Sequence, residues 1–168
     1  MAHCLIIGKT LSGKTTFAKK KAAALKAHGH NIIVLDPFLD PQWNATYITS
    51  DQDDFLEKVW LNRNCAVFVD EGGSTIGKYN KAMEELATRG RHWGHKCFFI
   101  TQRVKQLSTT IRTQCSEVVI FKQAQRDTKD LADEFVEPII NNAHLLQKGE
   151  FFYVRDNQEP LKLNVFSL

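Results

Sequence analysis

Short apolar runs alternate along the chain with longer stretches in which charged and small residues interrupt the apolar ones. The runs at 4–7, 31–35, 65–69, Lys96–Thr101 and 117–121 show no clear polar alternation. That pattern predicts strands buried on both faces, as in a parallel sheet. Residues 14–28, rich in Ala and Lys and closed by Gly29, predict a helix. Ser50-Asp51-Gln52-Asp53 has the acidic first turn of a helix that continues through 55–61. Further helices are predicted over 78–88, 107–113 and 127–135. A short strand is predicted at Tyr47–Thr49, and two closing strands at 151–155 and 161–166 turn through Asp156-Asn157. Strands separated by helices predict an α/β fold of three layers with a central, mostly parallel sheet and a C-terminal β-hairpin. No repeat, low-complexity tract or linker divides residues 1–168, so one domain is expected.

Composition narrows the picture modestly. Hydrophobic residues make up 43% of the 168 and charged residues 24%, as in an ordinary soluble globular chain. No apolar run approaches the roughly 20 residues of a membrane helix, and the first residues lack the basic and apolar regions of a signal peptide, so neither is expected. The net charge of +3 suits a nucleic-acid partner without requiring one. Cys4, Cys65, Cys97 and Cys115 have no CxxC spacing and fall at or near strand starts. Buried reduced thiols in a reducing compartment are expected, not a zinc site. His92, His95 and Cys97 lack a fourth ligand, and Trp93 beside them is expected to pack between helix and strand.

The strongest chemical signal is Gly8-Lys9-Thr10-Leu11-Ser12-Gly13-Lys14-Thr15, a complete GxxxxGK[ST] pattern between a predicted strand and a predicted helix. In such a loop backbone N–H groups wrap a β-phosphate, and the lysine, here Lys14, reaches the β- and γ-phosphates. The following hydroxyl, here Thr15, ligates Mg²⁺, and the helix N-terminus adds partial positive charge. Gly8 and Gly13 let the backbone turn without a Cβ clash. Thr16 completes the expected nucleotide-binding segment. Val67-Phe68-Val69 is an apolar strand ending in two acids: Asp70 is the candidate for the Mg²⁺ shell and Glu71 for the general base that polarises water. Phe98-Phe99-Ile100-Thr101 ends in Gln102, a polar tip placed to sense a γ-phosphate if its strand lies between the other two. Together these predict an ATPase using ATP and Mg²⁺. A GTPase is disfavoured: Asp70-Glu71-Gly72-Gly73 satisfies DxxG, but Thr128-Lys129-Asp130-Leu131 puts its Asp one residue early for a guanine motif. A small-molecule kinase would need an Arg-rich lid, and the acid pair favours water as acceptor.

The order of phosphate loop, Asp36-Pro37, Asp70-Glu71, Arg89-Gly90-Arg91-His92-Trp93-Gly94 and Ile100-Thr101-Gln102-Arg103 resembles the FtsK–HerA superfamily of DNA-pumping ATPases. Within it the chain looks most like the small genome-packaging ATPases of icosahedral, membrane-containing double-stranded DNA viruses. The resemblance covers roughly residues 3–135; no motif accounts for the last thirty or so. It implies a RecA-like (ASCE) sheet with core order 5-1-4-3-2, which puts Gln102 beside the phosphate loop. It implies a homo-oligomeric ring, a hexamer, around double-stranded DNA gripped without sequence preference. It also implies an arginine finger entering the neighbour's site, with Arg91 or Arg89 first and Arg126 third, and capsid vertex or portal proteins as partners in the host cytoplasm or the virion. The β-barrel of the HerA branch and the membrane and DNA-reading modules of the FtsK branch have no counterpart here, which favours packaging. The alternatives are a nucleotide switch or structural virion component, and a conjugation-type or filamentous-phage export ATPase. Lys19-Lys20-Lys21 and Lys26 read as a solvated helix face, whereas Lys78, Lys81, Arg103, Lys105 and Arg112 are candidates for lining a DNA channel through phosphate contacts.

Overall fold

The apolar runs pair into one eight-stranded sheet: β1 (His3–Ile7), β2 (Ile32–Leu35), β3 (Tyr47–Thr49), β4 (Ala66–Val69), β5 (Lys96–Thr101), β6 (Cys115–Ile120), β7 (Glu150–Arg155) and β8 (Leu161–Asn164). A computed structural model describes residues 2–70 and 80–168; Glu71 and Lys78 lie outside the described residues. The strand order is β3-β2-β4-β5-β1-β6-β7-β8. Pairings from β3 to β6 are parallel, and β7 and β8 join antiparallel. The expected core order 5-1-4-3-2 is therefore present as β6-β1-β5-β4-β2, widened by β3 at one edge and the hairpin at the other. This is the α/β fold of P-loop NTPases.

The absence of polar alternation has its cause in two helical layers. Cys4, Ile6, Ala66, Phe68, Phe98 and Ile100 face α1 (Lys14–Ala27) and meet Phe17, Ala18 and Ala22. Their neighbours Leu5, Ile7, Val67, Val69, Cys97 and Phe99 point the other way. There they meet α2 (Gln52–Leu61), α3 (Lys81–Arg89), α4 (Thr109–Gln114) and α5 (Gln125–Phe135). Side chains that accept backbone N–H groups set the helix starts. Asp51 accepts from Asp54 N, Asn80 from Met83 N and Ser108 from Ile111 N, so α3 and α4 begin after Asn80 and Ser108, two or three residues later than periodicity alone suggested. The final strand also stops early. Asn164 Oδ1 accepts Phe166 N at 2.9 Å and turns Val165–Ser167 into a 3₁₀ turn.

Two buried histidines tie the layers together. Cys97 N–H donates to His3 Nδ1 at 3.0 Å, so His3 Nε2–H donates to the Ala87 carbonyl at 2.9 Å, joining β1, β5 and α3. Cys65 N–H likewise donates to His95 Nδ1 at 3.1 Å, while His95 Nε2 meets the Val59 carbonyl at 2.9 Å. Both ring nitrogens of each are engaged with backbone. The four cysteines are buried free thiols. Trp93 packs edge-on against Trp60 of α2 at 5.4 Å. Among the described residues no helix is long and apolar enough to cross a membrane.

Candidate active site

Because β1, β5 and β4 are parallel neighbours, the segments that follow them open at one edge of the sheet. That carboxyl edge is where open α/β sheets place ligands. The segment after β1 is pinned on both sides: Gly8 N–H donates to the Thr101 carbonyl of β5 at 3.2 Å, and Lys9 N–H to the Lys122 carbonyl after β6 at 3.0 Å. It then turns through Leu11 (φ 62°) and Gly13 (φ 112°) into α1. Gly13 is needed for its backbone angle and for space. A Cβ there would lie 3.1 Å from Phe121 and 3.3 Å from both Gly149 and Val165.

Helix α1 begins without a side-chain cap. Its first intrahelical bond runs from Phe17 N to the Gly13 carbonyl at 3.0 Å, so the N–H groups of Lys14, Thr15 and Thr16 precede the ladder. The Ser12 hydroxyl is buried with no hydrogen-bond partner among the described residues. Beside these donors opens a cleft of about 300 Å³ lined by Thr10, Leu11, Gly13, Lys14, Thr15, Thr16 and Gln102, with Lys148 and Phe166. Lys14 is 7% exposed. The N–H groups at the start of α1, a lysine and hydroxyls beside one cleft fit a polyphosphate.

Asp70 stands at the end of β4, is 6% exposed, and donates its backbone N–H to the Leu35 carbonyl at 2.9 Å. Thr15 and Asp70, the expected Mg²⁺ residues, therefore both belong to the carboxyl edge, with the end of β5 between their parent strands. Oxygen donors from a hydroxyl and a carboxylate suit Mg²⁺, which keeps most of its ligands as water and substrate oxygens. Gln102, at the end of that intervening β5, is exposed and reaches the cleft wall. Its neighbours are fixed. Thr101 Oγ1 donates to Gln106 Oε1 at 2.9 Å, and the Arg103 guanidinium grips Asp127 with two bonds, 2.8 and 3.2 Å. Asp36, at the end of β2, is turned to its own loop, accepting from Phe38 N and Asp40 N at 3.0 Å each.

The three arginine candidates separate. Arg89 and Arg91 lie near the start of β5, a strand length of roughly 20 Å from its carboxyl edge. Arg89 pairs with Glu85 at 3.8 Å and lies 5.8 Å from the Trp93 ring, and Arg91 donates to Gln114. Arg126, in the first turn of α5, sits at the phosphate-loop end, is exposed, and among the described residues has only a 4.0 Å approach to Asp127. Of the channel candidates, Arg103, Lys105 and Arg112 are committed within the chain to Asp127, Asp130 and Glu134 of α5.

The C-terminal segment, which carries no motif, is the part of the site that pattern reading missed. Gly149 N–H donates to the Ser12 carbonyl at 3.0 Å and Val165 N–H to the Gly149 carbonyl at 2.8 Å, so the closing hairpin braces the phosphate loop from behind. Lys20 Nζ adds a bond to the Val165 carbonyl at 2.9 Å.

No protein-family model and no curated protein matches the chain. Solved structures do. The genome packaging NTPase B204 from Sulfolobus turreted icosahedral virus 2, in complex with AMPPCP, is similar with a TM-score of 0.80 at 19% identity over 96% of this chain and 95% of that one. The DNA-packaging ATPase B204 from Sulfolobus turreted icosahedral virus gives 0.77 at 20% identity, over 96% of each chain. The pCW3 conjugation coupling protein TcpA, with ATPγS, gives 0.77 at 14% identity over 97% of this chain and 59% of that one. At these identities the likeness establishes the fold, in agreement with the FtsK–HerA-like resemblance.

Proposed function

We propose that the chain is an ATP-driven double-stranded DNA translocase of the genome-packaging kind. The observation that carries this reading is the alignment on three adjacent strands, β1, β5 and β4, of a phosphate-wrapping loop, Gln102 and Asp70. In this reading the N–H groups of Gly13 to Thr16 and the Lys14 ammonium hold the β- and γ-phosphates. Mg²⁺, held through Thr15 and Asp70, would neutralise charge on the phosphate oxygens. Glu71, next in sequence to Asp70, takes the proton from the attacking water. Gln102, kept in place by the anchored Thr101 and Arg103, orients that water or senses the γ-phosphate. An arginine from a neighbouring copy offsets charge developing in the transition state. Arg126 leads the candidates because it is exposed at the right end of the sheet, ahead of Arg91 and Arg89. DNA contact falls first to Lys81, exposed at the start of α3, and to Lys78.

Support for DNA as the substrate comes from the packaging ATPases that share the fold over nearly the whole chain. The likeness to a conjugation coupling protein supports a second reading, a conjugation-type or filamentous-phage-type export ATPase. The test is ATP turnover with and without linear double-stranded DNA, for the wild type and for Lys14→Ala. Turnover that DNA accelerates and the variant lacks is expected. Turnover indifferent to DNA would favour a nucleotide switch, and wild-type turnover in the variant would overturn the assignment of the loop.

A further inference from the structure

We propose that Phe166 is the platform on which the base of the bound nucleotide stacks, an inference that rests on reading the cleft as a nucleotide site. Phe166 is 60% exposed and lines the cleft together with Thr15 and Thr16. A lone exposed aromatic ring is ordinary; this one is held in place. The ring lies on the Cα of Gly149, so that a Cβ at that position would come within 2.5 Å of its Cε2. Gly149 also has a φ of 86°, which favours glycine. Asn164 Oδ1 fixes the Phe166 N–H at 2.9 Å, and the fully buried Val165 anchors the turn. Through Gly149 the same turn is hydrogen-bonded to the Ser12 carbonyl, so the segment that carries the ring is joined directly to the phosphate loop.

Packed on Gly149 through its Cδ2–Cε2 edge, the ring still exposes 60% of the residue, which leaves apolar aromatic surface at the flank of the loop that takes phosphates. A nucleotide whose phosphates follow the N–H groups of α1 leaves its base to find such a surface. Stacking reads a π-face and not a hydrogen-bonding edge, so the shelf accepts any purine and holds pyrimidines less well. Lys148, also on the cleft wall, adds positive charge beside it.

The test compares equilibrium binding of ATP and of inorganic tripolyphosphate, each with Mg²⁺, to the wild type and to Phe166→Ala, Phe166→Leu and Phe166→Trp. Loss of stacking weakens ATP binding roughly 5- to 150-fold in the Ala variant, the range for one base on one aromatic ring. Leu is expected to fall near Ala, Trp to match or exceed the wild type, and tripolyphosphate to bind all four proteins alike. Equal ATP affinity in wild type and Phe166→Ala would overturn the shelf while leaving the phosphate site intact. A parallel loss of tripolyphosphate would do so too, by showing that Phe166 only supports the loop. If the wild type binds neither ligand, the nucleotide reading itself fails and the shelf with it.

Discussion

His3 couples the strand that presents the phosphate loop to the strand that presents Gln102, and its environment makes that coupling sensitive to acid. Burial lowers its pKa from 6.5 to about 4; the Ala87 carbonyl opposes the shift, and the charges of Arg91 and Lys96 add to it. The sign follows directly. As pH falls below 6.5 the unfolded chain takes up a proton that the fold refuses. Stability from this group is therefore complete above pH 6.5 and lost progressively down to about pH 4. The full loss is about 3 kcal/mol, and at pH 4.5 about 2.5 kcal/mol has gone. His95, also lowered by burial, pushes the same way. The perturbation is His3→Gln, assayed by urea unfolding at pH 7.5 and 4.5. The variant is less stable throughout, by about 1–3 kcal/mol for each backbone group left unpaired. Carboxylates titrate in both proteins, so the difference between the two pH dependences isolates His3. The wild type should lose about 2.5 kcal/mol more than the variant, a midpoint difference on the order of 1 M urea. Curves that fall in parallel would refute the reasoning, as would an imidazole that titrates near 6.5 by NMR.

Two further outcomes concern turnover. Glu71→Gln should bind ATP normally and hydrolyse it about 10²–10⁴ times more slowly, since the amide cannot accept water's proton; normal single-turnover hydrolysis would send the search for a base elsewhere. Arg126→Ala should keep ATP affinity and lose about 10³–10⁵ in turnover if it enters a neighbour's cleft. Mixing it with Glu71→Gln should then restore part of the activity, because some interfaces regain both groups. Rings that form but never recover activity would return Arg91 and Arg89 to consideration through the same mixing assay.

Local patterns carried the phosphate loop, Asp70 and Gln102, because each lies within a few residues of an unmistakable strand end. The parallel, doubly covered sheet was equally legible, since Leu5 and Ile6, or Phe98 and Phe99, point to opposite faces and are both apolar. The helix starts at Lys81 and Thr109 are less legible, because periodicity runs on through Asn80 and Ser108, whose side chains cap the helices by accepting the Met83 and Ile111 N–H groups. The brace from Gly149 and Val165 to Ser12 joins positions well over a hundred residues apart, and no short spacing announces such a bond. The same holds for Arg103 and Asp127. As residues they read as a DNA-facing cation and a helix start; only the packing of α5 against the segment after β5 makes them partners. Arg91 shows the converse. Its motif drew attention to it, whereas the topology sets it near the amino-terminal edge of the sheet and hands it to Gln114.

Motion along DNA is the most direct thing to measure. A third strand annealed at the far end of a linear duplex is displaced only by a motor that travels the intervening length. Displacement should require ATP, should lag in proportion to the distance travelled, and should vanish in Lys14→Ala. Robust ATP hydrolysis by assembled wild-type protein on the same duplex, with the third strand left in place at every length, would contradict translocation.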